Sequence, residues 1–187
     1  PLDLAGNSRV SNLIIDLGAL EHIILHVDAA ATNGISNGAS WANAYTKLQD
    51  ALAAASSSAT ILVAAGTYHP DEGQGLTNND RTATFQLISG VPIYGGFPTG
   101  GGSLAQRDPV TNETTLSGDL DQNDGPDFAN NSGNAYHVLT SSGTDATALL
   151  DGFTITGGNA TNSYGGAIYN EGGSPTLINC SFLGNNA

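Results

Sequence analysis

A chain of 187 residues is long enough to bury one sizeable core. Its 25 glycines and 7 prolines, set among many Asn, Ser and Thr, favour short strands broken by turns. Four Lys and Arg against 17 Asp and Glu give a formal net charge of −13, which repels a phosphate backbone or an anionic membrane surface and excludes nucleic acid as a partner.

In chain order, the first chemical signal is a pair of histidines. His22 and His26 share one face of an extended stretch, but no third ligand of suitable type lies near them in sequence. Ordinary structural placement is the expectation for this pair, for His69 before a proline, and for His137 in a strand-like run. Residues 34–38, Gly-Ile-Ser-Asn-Gly, satisfy the G-x-S-x-G pattern of a nucleophile elbow. That chemistry requires Ser36 on a tight turn between a core strand and a helix, with an acid and a His to activate it. Here the serine stands in an Asn/Gly/Ser-rich loop, so a plain loop position is expected.

Residues 40–55, SWANAYTKLQDALAAA, place Trp41, Tyr45, Leu48 and Leu52 at spacings of 4, 3 and 4. The spacing predicts one amphipathic helix with Ser40 as its N-cap. Standing ahead of the strands, it is expected to act as a lid over the open end of the core and its unpaired strand edges. Strand runs bounded by turn signals follow at 59–68, 83–97, 114–120 and 135–143, separated by long loops at 70–82, 98–113 and 121–134.

One of these loops carries an acidic cluster. In DLDQNDGPD, residues 119–127, Asp119, Asp121 and Asn123 occupy alternate positions and are followed by Asp124, Gly125 and Asp127. These are the hard oxygen ligands that Ca²⁺ prefers, although the glycine falls one place late for an EF-hand and no Glu stands at the twelfth position. A bound Ca²⁺ would fix the loop by neutralising carboxylates that otherwise repel one another; the alternative is a solvated acidic loop.

The decisive pattern is internal repetition. Laying LDGFTITGGNA (150–160) over LINCSFLGNNA (177–187) gives a shift of 27 residues that sets Leu150 on Leu177, Phe153 on Cys180, Ile155 on Phe182 and Gly157 on Gly184. A unit of this length cannot bury its own apolar face and must stack on a copy of itself. The fold expected is therefore a solenoid whose strands form parallel ladders about 4.8 Å apart, with Leu, Ile, Val and Phe stacked inside. Cys180, the lone cysteine, falls in an alternating apolar run and is expected to be a small buried hydrophobe.

The phrases VDAAATNGISNGASWANAYTKLQDAL, ILVAAGTYHP, RTATFQLISGVPIYGGF, TTLSGDLDQND, LDGFTITGGNA and GGAIYNEGGSPTLINCSFLGNNA resemble, in this order, those of secreted bacterial right-handed parallel β-helix proteins of the pectate-lyase-like superfold. Gly165–Ile168 and the Phe-x-x-Asn of Phe182–Asn185 also resemble repeats of polymorphic outer-membrane proteins. The resemblance covers about residues 24–187. It implies an all-β, right-handed parallel β-helix with one N-terminal capping α-helix, at about residues 40–55 of a domain spanning 22–187 whose C-terminal end is uncapped. It also implies an extracellular or cell-surface location. Residues 1–21 resemble the closing strands of a preceding module, so the chain reads as the tail of one module joined to the head of the next. A chain that begins with Pro and contains no Met is likewise expected to be part of something longer.

The function expected from these signals is a non-enzymatic structural or adhesive module, partnered by copies of itself head to tail or by neighbouring modules of a longer chain, with no direct insertion into a membrane. The alternative is a carbohydrate-active enzyme, either a polysaccharide lyase or a glycoside hydrolase, or a carbohydrate-binding module. A lyase would use a cationic or other base; the available cations are Arg9, Lys47, Arg81 and Arg107, and the resemblance gives Arg81 and Arg107 architectural roles. A sugar platform would draw on Tyr68, Tyr94, Tyr136 and Tyr164.

Overall fold

The computed structural model describes residues 10–11, 14–15, 22–32, 34–161 and 163–187. Strands β1 (Val10–Ser11) and β2 (Ile14–Ile15) pair antiparallel. The remainder of the 1–21 segment, including Arg9, lies outside the described residues, and so does its expected role as the tail of another module.

The rest is mostly β, with parallel sheets and few helices. The first sheet holds β3 (Ile23–Val27), β4 (Ala59–Ala64), β7 (Ile93–Phe97), β10 (Leu149–Asp151) and β13 (Thr176–Ile178), side by side in that order. The second holds β5 (Gly66–Tyr68), β8 (Thr114–Ser117), β11 (Thr154–Thr156) and β14 (Ser181–Leu183). The third holds β6 (Phe85–Gln86), β9 (Leu139–Thr140) and β12 (Ile168–Tyr169). The chain runs from the first sheet to the second to the third and then returns to the first one strand further along.

Register explains why the repeat specifies this arrangement. Leu150 lies opposite Leu177 and Ile155 opposite Phe182, the pairs that the 27-residue shift superposes. Along the first sheet Leu25, Ile61, Ile93 and Leu150 stand in one row; along the second, Tyr68, Leu116 and Ile155 do. These rows, with Phe85 and Leu139 of the third sheet, form a single buried cluster enclosed by all three sheets. Because side chains alternate across a strand, a slip of one residue would turn every one of these rows outward. Several expected strand runs are in fact two short strands in different sheets: 59–68 divides into β4 and β5, and 83–97 into β6 and β7. The corner after β10 is made by Gly152, at φ 82, and its register equivalent after β13 is Asn179, at φ 50. Glycine has no Cβ to clash in that left-handed region, and asparagine is among the residues that tolerate it.

The helix expected over 40–55 is shorter and interrupted. A 3₁₀ turn covers Trp41–Asn43, and the α-helix α1 covers Leu48–Ala54. Between them Ala44 is extended, and Tyr45 pairs with β3: Tyr45 N donates to His26 O at 2.9 Å and Asp28 N to Tyr45 O at 2.8 Å. The outer edge of β3 presents backbone groups that need partners, and this demand overrides the local helical periodicity. Ser40 makes no N-cap bond with its side chain. Trp41 does not join the face carrying Leu48 and Leu52; its indole packs against His26 and Phe97 and donates Nε1–H to Gly102 O at 3.1 Å. Helix α1 touches β3, β4 and β6 and buries Leu48, Ala51 and Leu52 in the common core.

Leu150 is fully buried, whereas its register partner Leu177 is 37 % exposed. Leu150→Ala should therefore cost about 2–5 kcal/mol of unfolding free energy, and Leu177→Ala clearly less, as read from urea denaturation midpoints.

Candidate functional site

The acidic loop between β8 and β9 is organised largely by its own amides. Asp119 accepts Asn123 N on Oδ1 and Asp124 N on Oδ2, at 3.0 and 3.1 Å. Asp121 Oδ2 accepts Asn123 Nδ2 at 2.9 Å, and Asp124 Oδ2 accepts Asn134 Nδ2 at 2.7 Å. Burial pushes the Asp124 carboxyl above its ordinary range, and the charges of Asp119 and Asp121 push the same way, against the hydrogen bond from Asn134. Asp127 lies on the 3₁₀ turn Pro126–Phe128, at φ 55. Of the five residues expected to hold Ca²⁺, side-chain hydrogen bonds link Asp119, Asp121, Asn123 and Asp124. Among the described residues, no three His, Cys, Asp or Glu side chains already form a metal-sized group.

Asn134 gave no signal in the sequence, because it lies beyond the acidic run in an unremarkable Gly-Asn-Ala triplet. It is nevertheless the junction of the loop. Its side chain also donates to Gly157 O at 2.7 Å, its backbone oxygen receives Arg81 Nε at 2.5 Å, and its Oδ1 is buried with no partner. Nearby, Asn186 Nδ2 donates to Asn159 Oδ1 at 3.2 Å, and Asn159 Nδ2 to Asn131 O at 2.8 Å, so corner asparagines link successive passes of the chain.

The two central arginines satisfy carbonyls from separate passes. Arg81 spans Asn134 O and Asn159 O, and its guanidinium lies 4.3 Å from the centre of the Tyr136 ring. Arg107 donates from Nε to Gly95 O at 2.6 Å and from Nη2 to Asp151 O at 2.9 Å, and it pairs with the Asp151 carboxylate at 2.8 Å. Lys47 on the approach to α1 is engaged by Glu72 at 2.7 Å. Each of these three cations is held by contacts within the fold.

The tyrosines do not form one platform. Tyr68 is buried in the core, its hydroxyl donating to Ala64 O at 2.9 Å, and burial raises its pKa. Tyr94 lies near Arg107, on the outer side of the first sheet. Tyr136 and Tyr164 remain exposed near the third sheet. His137 stacks on Tyr169 and places Nδ1 3.0 Å from Gly165 O, while His26 Nδ1 lies 2.9 Å from Gly38 O. His69 is buried, and its Nδ1 has no partner.

Among the described residues, clefts open at several places. One, about 750 Å³, runs along α1 and is lined by Ser36, Tyr45, Gln49, Asp50, Gln74 and Leu76 among others. Ser36 has the left-handed backbone of an elbow residue, φ 49, yet no histidine lines this groove. A second cleft, about 680 Å³, is bordered by Glu113, Thr154 and Cys180, and a third, about 470 Å³, by Asp28 and Trp41. Each contains one carboxylate, and each carboxylate holds the fold: Asp50 accepts Gln74 N, Glu113 accepts Thr154 Oγ1, and Asp28 accepts Ala30 N and Gly100 N. Two-carboxylate glycoside hydrolysis needs a facing pair.

Removing the Arg107 side chain leaves the Asp151 charge without its counter-ion in a poorly solvated place. Arg107→Ala should cost about 3–5 kcal/mol, with part recovered in the Arg107→Ala/Asp151→Asn double variant, as read from denaturant unfolding. Cys180 is half-buried, and burial pushes its thiol pKa up. Its alkylation at pH 8 should therefore be slow in the native protein and should reach the rate of an ordinary thiol in urea, as followed by mass spectrometry. No protein-family model, curated protein or solved structure matches the chain, so its own residues carry the functional reading.

Proposed function

We propose that the three sheets are the faces of a right-handed parallel β-helix and that the chain serves as a non-enzymatic, extracellular structural or adhesive module. Right-handed crossovers are the near-universal rule for parallel strands, which supports that hand. The observation carrying the reading is the continuation of the buried rows into a final pass that nothing among the described residues covers. Ile155 and Leu150 are fully buried, whereas their row partners Phe182 and Leu177 are 43 % and 37 % exposed. Such a face suits one more turn of the same stack, from a longer chain or from a second copy added strand to strand. The resemblance of the phrases to secreted proteins supports the location.

The second reading, a carbohydrate-binding module, is favoured by the α1 groove. There Ser36, Tyr45 and Gln74 line the groove beside Leu52 and Leu76.

Sedimentation velocity over a concentration series tests assembly. The chain should self-associate, and Phe182→Asp should abolish the association while leaving the β-sheet circular dichroism signal unchanged. A wild-type chain that stays monomeric throughout removes the assembly reading, and sugar products released from any member of a polysaccharide panel remove the non-enzymatic one.

A further inference from the structure

The loop over residues 119–134 combines two features. Asp119 and Asp121 stand close enough to Asp124 for their charges to act on it, second to burial, and no described cation pairs with any of the three. Asn134, 1 % exposed, is turned into this loop with Nδ2 on the Asp124 carboxylate, and the Oδ1 of the same carboxamide accepts nothing. Its orientation is not interchangeable: Nδ2 faces two acceptors, Asp124 Oδ2 and Gly157 O, so a flipped amide would set oxygen against oxygen. A buried carbonyl oxygen without a donor is costly, and nearly all such groups in folded proteins have a partner. The carboxylate of Asp121 packs beside Gly133, the residue before Asn134; a Cβ there would meet its oxygens at 3.0 and 3.1 Å. Asp124 thus reaches Asn134 directly and Asp121 reaches its neighbour Gly133, each with Oδ2 engaged by an amide and, among the described residues, no amide on Oδ1.

We propose that this loop is a divalent-cation site, suited to Ca²⁺, with Asp121 Oδ1, Asp124 Oδ1 and Asn134 Oδ1 as protein ligands and with backbone oxygens and water completing the sphere. One ion answers both features, since it offsets the charge of the gathered carboxylates and gives the orphaned carboxamide oxygen its partner. The carbonyl of a neutral side chain among two carboxylates fits a hard cation that takes six to eight oxygens. Asp119 is a positioning residue: both of its oxygens hold backbone N–H groups of the turn, which sets where Asp124 stands.

The test is calorimetric titration of the chelator-treated protein with CaCl₂, and in parallel with MgCl₂, alongside thermal unfolding. The expected result is one saturable Ca²⁺ site per chain and a rise in melting temperature with Ca²⁺. Asp121→Asn and Asp124→Asn should each weaken binding about tenfold or more, while Asp145→Asn, an acid outside the loop, leaves it unchanged. A second signature is the Ca²⁺ dependence of stability: Ca²⁺ should raise the melting temperature of the wild type and leave that of Asp121→Asn/Asp124→Asn nearly unchanged. If one variant fails to fold, the other carries the comparison. The absence of saturable binding at millimolar Ca²⁺ and Mg²⁺ overturns the site, and so does binding that persists unchanged in Asp121→Asn/Asp124→Asn.

Discussion

The structure depends on one constraint, that residues one pass apart must meet in register. Each strand is too short to be stable alone; most have two or three residues, and only the ladder to the next pass gives them partners. Once Leu150 sits on Leu177 and Ile155 on Phe182, the apolar rows, the corner positions and the asparagine contacts all fall at matching heights. The hydrophobic effect supplies most of the driving force, but it is non-directional; the backbone ladder decides which residues share a row.

This explains which parts of the molecule were legible in the sequence. The 27-residue shift was readable because the last two passes are uninterrupted, so their inward Leu, Ile and Phe and their corner Gly and Asn repeat at constant spacing. Earlier passes carry the loops 98–113 and 118–138, which erase constant spacing without altering the pairing of β7 with β10 or of β8 with β11. The two-sheet nature of runs such as 59–68 was hidden because a corner of one or two small residues barely interrupts an apolar run. The helix was half legible. Leu48 and Leu52 do share its buried face, but Trp41 and Tyr45 answer to β3 and to the loop at Gly102, partners distant in sequence.

The candidate site divides along the same line. The acidic run was visible as composition, since Asp at alternate positions needs no knowledge of the fold. Asn134 was not, because its importance comes from meeting Asp124, Gly157 and Arg81 across three passes of the chain. Arg81 and Arg107 follow the same logic. A guanidinium presents several donors in a fixed plane, so one side chain satisfies carbonyls from two levels of the stack and helps set their separation.

The long loops all leave at corners, where one sheet gives way to the next, and none lies within a ladder. The spacing between neighbouring strands is therefore fixed by the backbone ladders, while each loop is free to grow or shrink without disturbing them. Length and cargo belong to the balconies, and support belongs to the ladders behind them.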